Sequence, residues 1–292
     1  MRVTLTPRDF SLFASLRRFR FLTTEQVEQL HFPSRQTMLR RVRLLSRSGH
    51  LTIVRAGSLG TRVVALGKRG AEAITEPNRR AWYPRPAARS ELFLAHAAAV
   101  NEFQIRLDAS CRNSDELELL GFISEAERTG SAAHSRPWIA DTVTSPGTTL
   151  ERVPDGVFAV RRGERAALFF VEVDRSTEVV LHPERGLARV MRFYAACLMS
   201  DVYQRYAAVF GVEAFRGFRA LFVFRSDRRL RSVRERCGRL ADVPTSAKRF
   251  IWLATEAAVC SGELTTASWV SLDPMDETVY AITGSGERRE CP

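Results

Sequence analysis

Apolar residues recur at helical spacing from the start of the chain. Leu12, Leu16 and Phe19 share one face behind Thr6-Pro7-Arg8-Asp9, where Thr6 can cap, Pro7 suits the first helical position and Asp9 stands at the capping-box acid's place. A second helix opens at Thr23-Thr24-Glu25-Gln26, with Thr23 as cap and Gln26 three residues on, and it buries Val27 and Leu30. Pro33-Ser34 breaks it and caps a third helix over about 35–48, which Gly49 stops. In that third helix Met38, Leu39, Val42 and Leu45 share one side. Gln36, Arg40, Arg43 and Arg47 form a stripe facing largely away from them. Past Gly49 the period becomes two. Residues 51–55 and 61–66 alternate as strands around the glycine-containing loop 56–60, and Gly67-Lys68-Arg69-Gly70 leads into a short helix over 71–74.

Three short helices and a hairpin predict a winged helix-turn-helix over residues 1–75, with the third helix as the element that enters a major groove. Arginine reads guanine bidentately, glutamine reads adenine, and either can hold phosphate. The expected DNA contacts are therefore Arg35, Gln36, Thr37, Arg40, Arg43 and Arg47, with Arg55 and Arg62 of the hairpin at phosphate or the minor groove. Charge sharpens this picture. Residues 1–90 hold 18 Lys+Arg against 5 Asp+Glu, a net of +13, whereas residues 91–292 hold 26 against 28. The basic excess belongs to one end, as a nucleic-acid-binding module requires. The same trihelical fold also serves protein contact with a merely solvated charged side, but stripe, hairpin and charge coincide here.

Residues 76–90 contain Pro77, Pro84 and Pro86 without periodicity and are expected to be a Pro/Arg-rich linker. Residues 91–283 alternate helices with apolar strands. Helix is expected over 91–110, 184–199 and 228–240, and strand over 117–124, 152–160, 166–173, 219–224 and 250–254. That alternation predicts an α/β domain, and the tail 284–292 is expected to be disordered. The five cysteines form no CxxC pair and the five histidines no HExxH, which argues against a zinc site or a disulfide framework. No run of 18 apolar residues and no leader-like stretch occurs, so a cytoplasmic protein without a membrane span is expected.

Carboxylates punctuate the second domain. Pro154-Asp155-Gly156 opens one strand, Glu172-Val173-Asp174 ends its neighbour, and Glu125 follows another. A hairpin can bring Asp155 and Glu172 together, with Glu125 as a third metal ligand, and such a cluster suits magnesium or manganese. The plainer alternative is that Asp155 begins a turn and Glu172, Asp174 and Arg175 form an ion-pair network.

The order of these acids resembles the PD-(D/E)XK nuclease superfamily. More closely, the chain resembles the replication-relaxation family of plasmid and mobile-element proteins, over most of residues 1–225. The resemblance rests on Thr6-Pro7-Arg8-Asp9, Leu22-Thr23-Thr24-Glu25-Gln26 and the Arg-rich third helix. It continues through Ala95-His96, Val100-Asn101, Ser124-Glu125, Pro154-Asp155-Gly156 and Glu172-Val173-Asp174-Arg175-Ser176-Thr177-Glu178. It implies a restriction-endonuclease-like α/β domain behind the winged helix, DNA binding, and a role in plasmid replication or copy control. Where such nucleases carry lysine two residues after the second acid, this chain has Asp174. Arg185, Arg189 or Arg192 on the following helix is left to supply the cation, and Arg189 best matches the place of a helical lysine in relatives. Arginine can stabilise phosphate charge but does not act as a base. Three outcomes are expected to compete. One is a homodimeric, sequence-specific DNA-binding regulator that needs no cofactor. Another is a magnesium- or manganese-dependent nuclease or nickase using Asp155, Glu172, Asp174 and Arg189. A third is a recruitment protein for a replication or conjugation factor.

Overall fold

Capping chemistry sets the first helices. The computed structural model describes residues 3–56, 60–76, 89–129, 136–145, 147–175, 179–182, 186–261, 264–266, 269–283 and 286–288. Helix α1 spans Pro7–Phe19, strand β1 Leu22–Thr23, α2 Thr24–His31 and α3 Arg35–Arg47. The Asp9 carboxylate accepts from the Thr6 N–H (2.6 Å) and hydroxyl (2.8 Å), while at the start of α2 the Gln26 side-chain oxygen accepts from the Thr23 N–H (3.1 Å) and the Gln26 backbone N–H donates to the Thr23 hydroxyl (3.2 Å). Ser34 caps α3. Gly49 ends it with φ +77°, and the N–H groups of His50 and Gly49 reach back to the carbonyls of Leu45 and Ser46, a Schellman closure that a β-carbon would strain.

The chain then forms β2 (Leu51–Ala56), β3 (Thr61–Leu66) and α4 (Lys68–Ala73). These strands make an antiparallel sheet in the order β1-β3-β2. Nothing in the apolar pattern marks the two-residue β1. Leu12, Phe13, Leu16, Val27, Met38, Val42, Leu45, Leu51 and Val64 are all buried between the helices and this sheet. Helix α5 (Glu91–Arg112) follows the segment 77–88, so most of the expected linker lies outside the described residues.

Contacts divide the chain into residues 1–102 and 103–292, a division that falls within α5. In the first unit Leu94 packs with Phe21, Val63 and Ala65. The Asn101 side-chain amide donates to the carbonyls of Phe19 and Phe21, and that of Gln26 to Ala98 O at 2.9 Å.

The second unit continues with β4 (Glu118–Ser124), β5 (Arg128–Thr129), β6 (Arg136–Pro137), β7 (Asp141–Ser145), β8 (Thr148–Arg152), β9 (Gly156–Arg162) and β10 (Arg165–Asp174). After α6 (Leu187–Met199), α7 (Arg205–Phe210), β11 (Phe218–Phe224), α8 (Asp227–Gly238), α9 (Thr245–Lys248), β12 (Ile251–Thr255) and α10 (Glu256–Cys260) come β13 (Trp269–Ser271), β14 (Thr278–Tyr280) and β15 (Gly286–Arg288). Eight strands form one mixed sheet in the order β15-β14-β13-β12-β11-β10-β9-β4. The strands β4, β9 and β10 run antiparallel in succession, and β10 pairs parallel with β11 across the α6 crossover. Alternation along β10 puts Leu168 and Phe170 into the core with α6. Phe169 stacks on Phe158 at 4.8 Å on the opposite side, where Phe103 of α5 lies.

Two expectations need correction. The strand expected over 152–160 is broken, because Pro154 has no N–H for a ladder. Residues up to Arg152 instead close a separate hairpin of β7 and β8, and β9 begins at Gly156. Part of the tail expected to be disordered, Gly286–Arg288, pairs with β14 as β15.

The first unit also contains an ion pair with a measurable signature. Arg41 of α3 donates from Nε to Asp9 Oδ1 (2.8 Å) and from a second nitrogen to Oδ2, with the Asp9 side chain 1% exposed. Burial pushes the Asp9 pKa up, but the hydrogen bonds from Arg41 and Thr6 outweigh it and hold the value below the ordinary 3.8. Asp9→Asn is expected to cost about 2–4 kcal/mol at neutral pH, since it leaves Arg41 without its counter-charge. The stabilisation is present above the ordinary carboxylate pKa and is lost as pH falls through the depressed one. Thermal melts of wild type and variant should therefore converge in acid.

Candidate nucleic-acid interface and acid cluster

Five arginines lie on α3, and the structure sorts them. Arg35 pairs with Glu25 at 3.1 Å and Glu28 at 3.6 Å, so this expected DNA-binding residue is engaged with α2. Arg41, three residues after Met38 and four before Leu45, points toward the buried side and meets Asp9. Arg40, Arg43 and Arg47 are exposed, as is Gln36, and none of the three arginines has an ion-pair partner among the described residues. Thr37 Oγ1 lies 3.0 Å from the capping Ser34 hydroxyl and serves the helix start. In the hairpin Arg55 and Arg62 are register partners. Arg62 is half-exposed, while the Arg55 side chain and the tip 57–59 lie outside the described residues.

The acids of the second unit converge at one end of the sheet. Gly156 lies beneath the Phe122 ring, and a β-carbon there would stand 2.3 Å from it, so any larger residue directly after Asp155 would have to displace that ring. Asp155 Oδ2 accepts from the Val173 N–H at 2.7 Å, its backbone N–H donates to Val171 O, and its carbonyl accepts from the Glu125 N–H at 3.2 Å. Asp155, Glu172 and the start of Glu125 are thus neighbours. Glu172 follows Phe170 on the α6 side of β10 and is 3% exposed.

Glu172 is already satisfied. Arg152, the last residue of β8, donates from Nε to Oε1 (2.9 Å) and from a terminal nitrogen to Oε2, and the Tyr194 hydroxyl of α6 donates to Oε1 at 2.6 Å. Burial, with the nearby Asp155 charge, raises the Glu172 pKa against the opposing pull of Arg152 and Tyr194. Burial would lower the Arg152 pKa, and the Glu172 carboxylate overrides it and raises it. Tyr194 is raised by burial and by Glu172.

Asp174, in the place of the nuclease lysine, accepts from Arg229 Nε of α8 at 2.7 Å, and Arg175 holds Glu256 of α10 at 2.5 Å. Arg192 is paired with Asp242 at 2.5 Å. Arg189 precedes Tyr194 by five residues, about 140° around α6, and so does not share its side of the helix. Arg185 lies outside the described residues.

Sequence reasoning missed both Arg152 and Tyr194. A hard divalent cation needs free carboxylate oxygens. Of the expected ligands, Glu172 is chelated by an arginine and a tyrosine, Asp155 binds a backbone N–H and Glu125 meets Asp155 through its own backbone N–H, while nearby Asp174 is tied to Arg229, so this donor set does not fit the metal that the nuclease resemblance implies. Among the described residues, no cluster of three or more His, Cys, Asp or Glu side chains is placed to hold a metal ion.

The replication-relaxation family model matches residues 13–212, and the chain belongs to that family. No curated protein and no solved structure matches it. No helix among the described residues is long and apolar enough to cross a membrane.

Removing the arginine tests the acid cluster. Arg152→Met is expected to cost about 3–5 kcal/mol at neutral pH, because it strands a buried carboxylate. A carboxyl whose pKa is raised on folding costs nothing while protonated in both states, and its cost grows as pH rises from the unfolded-state value to the raised one and levels off above it. The destabilisation should therefore shrink in acid. Adding Glu172→Gln should recover most of it, read as a less-than-additive double-mutant cycle in denaturant melts.

Proposed function

We propose that this protein binds double-stranded DNA sequence-specifically through a winged helix-turn-helix in its first unit, and thereby regulates replication or transcription of a plasmid, phage or integrated element. The observation that carries the reading is the sorting on α3: Arg35 and Arg41 are neutralised by acids, whereas Arg40, Arg43 and Arg47 stand exposed beside Gln36 with no ion-pair partner among the described residues. Gln36, Arg40 and Arg43 read base edges, while Arg47 and Arg62 neutralise phosphates. Membership of the replication-relaxation family supports the connection to replication. The protein acts as a homodimer on two half-sites, the usual arrangement for such modules.

A restriction-endonuclease-like reading of the second unit is supported by its antiparallel β9–β10 pair, with Asp155 just ahead of β9 and Glu172 on β10, followed by the parallel strand β11 across α6. Glu172 and Asp174 serve in internal ion pairs and Asp155 holds a backbone N–H, which supports reading the domain as a scaffold that needs no cofactor. Dimerisation, or contact with a replication or conjugation protein, falls to it.

Arg40→Ala with Arg43→Ala is expected to weaken binding to the DNA upstream of the protein's own gene by roughly 2–6 kcal/mol. Scrambled DNA should be affected much less and the thermal melt left unchanged. Retained discrimination would overturn the assignment of α3. Incubation with supercoiled plasmid and magnesium or manganese should produce retarded bands without nicking. Metal-dependent nicking abolished by Asp155→Ala and Glu172→Ala would make the protein a nuclease.

A further inference from the structure

The second unit, residues 103–292, holds 26 Lys+Arg and 26 Asp+Glu and is formally neutral. Its charge is not spread evenly. Residues 225–239, the arginine before α8 through the residue after it, contain seven arginines against Asp227 and Glu235, a net of +5. The remainder of the unit is therefore net negative, and α8 stands out from its own surroundings.

The arginines of this helix are sorted as those of α3 are. On the inward side Arg229 pairs with Asp174, and Arg234 donates to the carbonyls of Ser271 (3.0 Å), Asp273 (3.2 Å) and Asp276 (2.7 Å). On the outward side Arg225, Arg228, Arg231 and Arg236 are exposed, and none has an ion-pair partner among the described residues. Arg239 is exposed and, among the described residues, pairs with Glu235 one turn earlier. Arg228 and Arg231 are three apart and so lie on one helix surface, with Arg225 just ahead of the Ser226 cap. Val233 and Cys237 anchor the opposite surface in the core, so the stripe is held on a packed helix.

We infer that the outward face of α8 is a second DNA-binding surface, one that grips the phosphate backbone of duplex DNA without reading sequence. This rests on the DNA-binding reading above. Charge complementarity selects the partner: a row of guanidinium groups without ion-pair partners among the described residues, in a segment (225–239) that holds no aromatic or amide side chain to read a base, suits phosphate oxygens. The same chain presents a groove-reading helix, which makes duplex DNA the polyanion at hand.

The test is a salt titration of binding by the full chain to two labelled duplexes, its own upstream DNA and a scrambled sequence. In Arg225→Ala/Arg228→Ala/Arg231→Ala, affinity for both duplexes should fall on the order of tenfold. The log–log salt slope should become shallower by about 2.7, at roughly 0.9 for each phosphate no longer neutralised. The ratio between the two duplexes should hold. The corresponding triple lysine variant should restore the slope, and melts should match wild type. An unchanged slope in the alanine variant would overturn the inference and leave the α3 reading standing, as a surface for an acidic protein would require. A changed ratio between the duplexes would also overturn it, since it would make α8 a reader of sequence. Failure of the wild-type chain to bind either duplex would overturn both readings. Loss of discrimination in the α3 variant, with the α8 variant shifting only the slope, would support both.

Discussion

A carboxylate taken out of water beneath α6 has to be met by charge, and the second unit is arranged around that demand. Glu172 finds its cation in Arg152 and a donor in Tyr194. Arg152 is also the register partner of Asp141 at the open end of the β7–β8 hairpin. Asp141 is itself buried, held by Arg205 at 2.6 Å and by the Tyr206 hydroxyl at 2.7 Å. The hairpin is thus fastened at both edges of its base by the same chemistry, an arginine and a tyrosine on an acid. Phe170 lies between the two tyrosines, 5.5 Å from each ring. Buried pairs of this kind contribute little net stability, but breaking one is costly, so they specify where an element must dock. A side chain that would otherwise serve chemistry serves placement here.

The first unit uses the same device on a smaller scale. Asp9 closes the cap of α1 and also binds Arg41 of α3. One carboxylate therefore fixes the start of one helix and the rotation of another about its axis. Once Arg41 is committed inward, the 3.6-residue period presents Arg40, Arg43 and Arg47 outward. The exposed stripe follows from a buried contact.

Local chemistry was legible along the chain, and distant pairing was not. Thr6 with Asp9, Thr23 with Gln26, and Ser34 with Gly49 mark helix ends because their partners lie within a few residues. The hairpin of β2 and β3 shows through alternation. Asp155 and Glu172 could be placed on neighbouring strands because a turn at 161–164 joins them, and Gly163 adopts φ +56° there. Arg152 could not be assigned, since it sits just before Val153-Pro154 and looks like the start of a strand. Its partner stands 20 residues away, across a break that the proline makes. Tyr194 lies within an apolar helix and looks like core. Arg41 did carry a signal, its spacing from Met38 and Leu45, that an arginine run obscures. The β7–β8 hairpin is rich in Thr and Ser and gives a weak apolar pattern.

The division of charge has a consequence for how the chain behaves as a solute. Residues 1–102 hold 18 Lys+Arg against 7 Asp+Glu, so the whole +11 of the protein resides there and the second unit carries no net charge at neutral pH. A body without net charge lacks the long-range repulsion that keeps molecules apart and tends to associate. The first unit therefore also acts as the colloidal stabiliser of the second. Any polyanion that neutralised the first unit would withdraw that repulsion and leave the molecules free to associate.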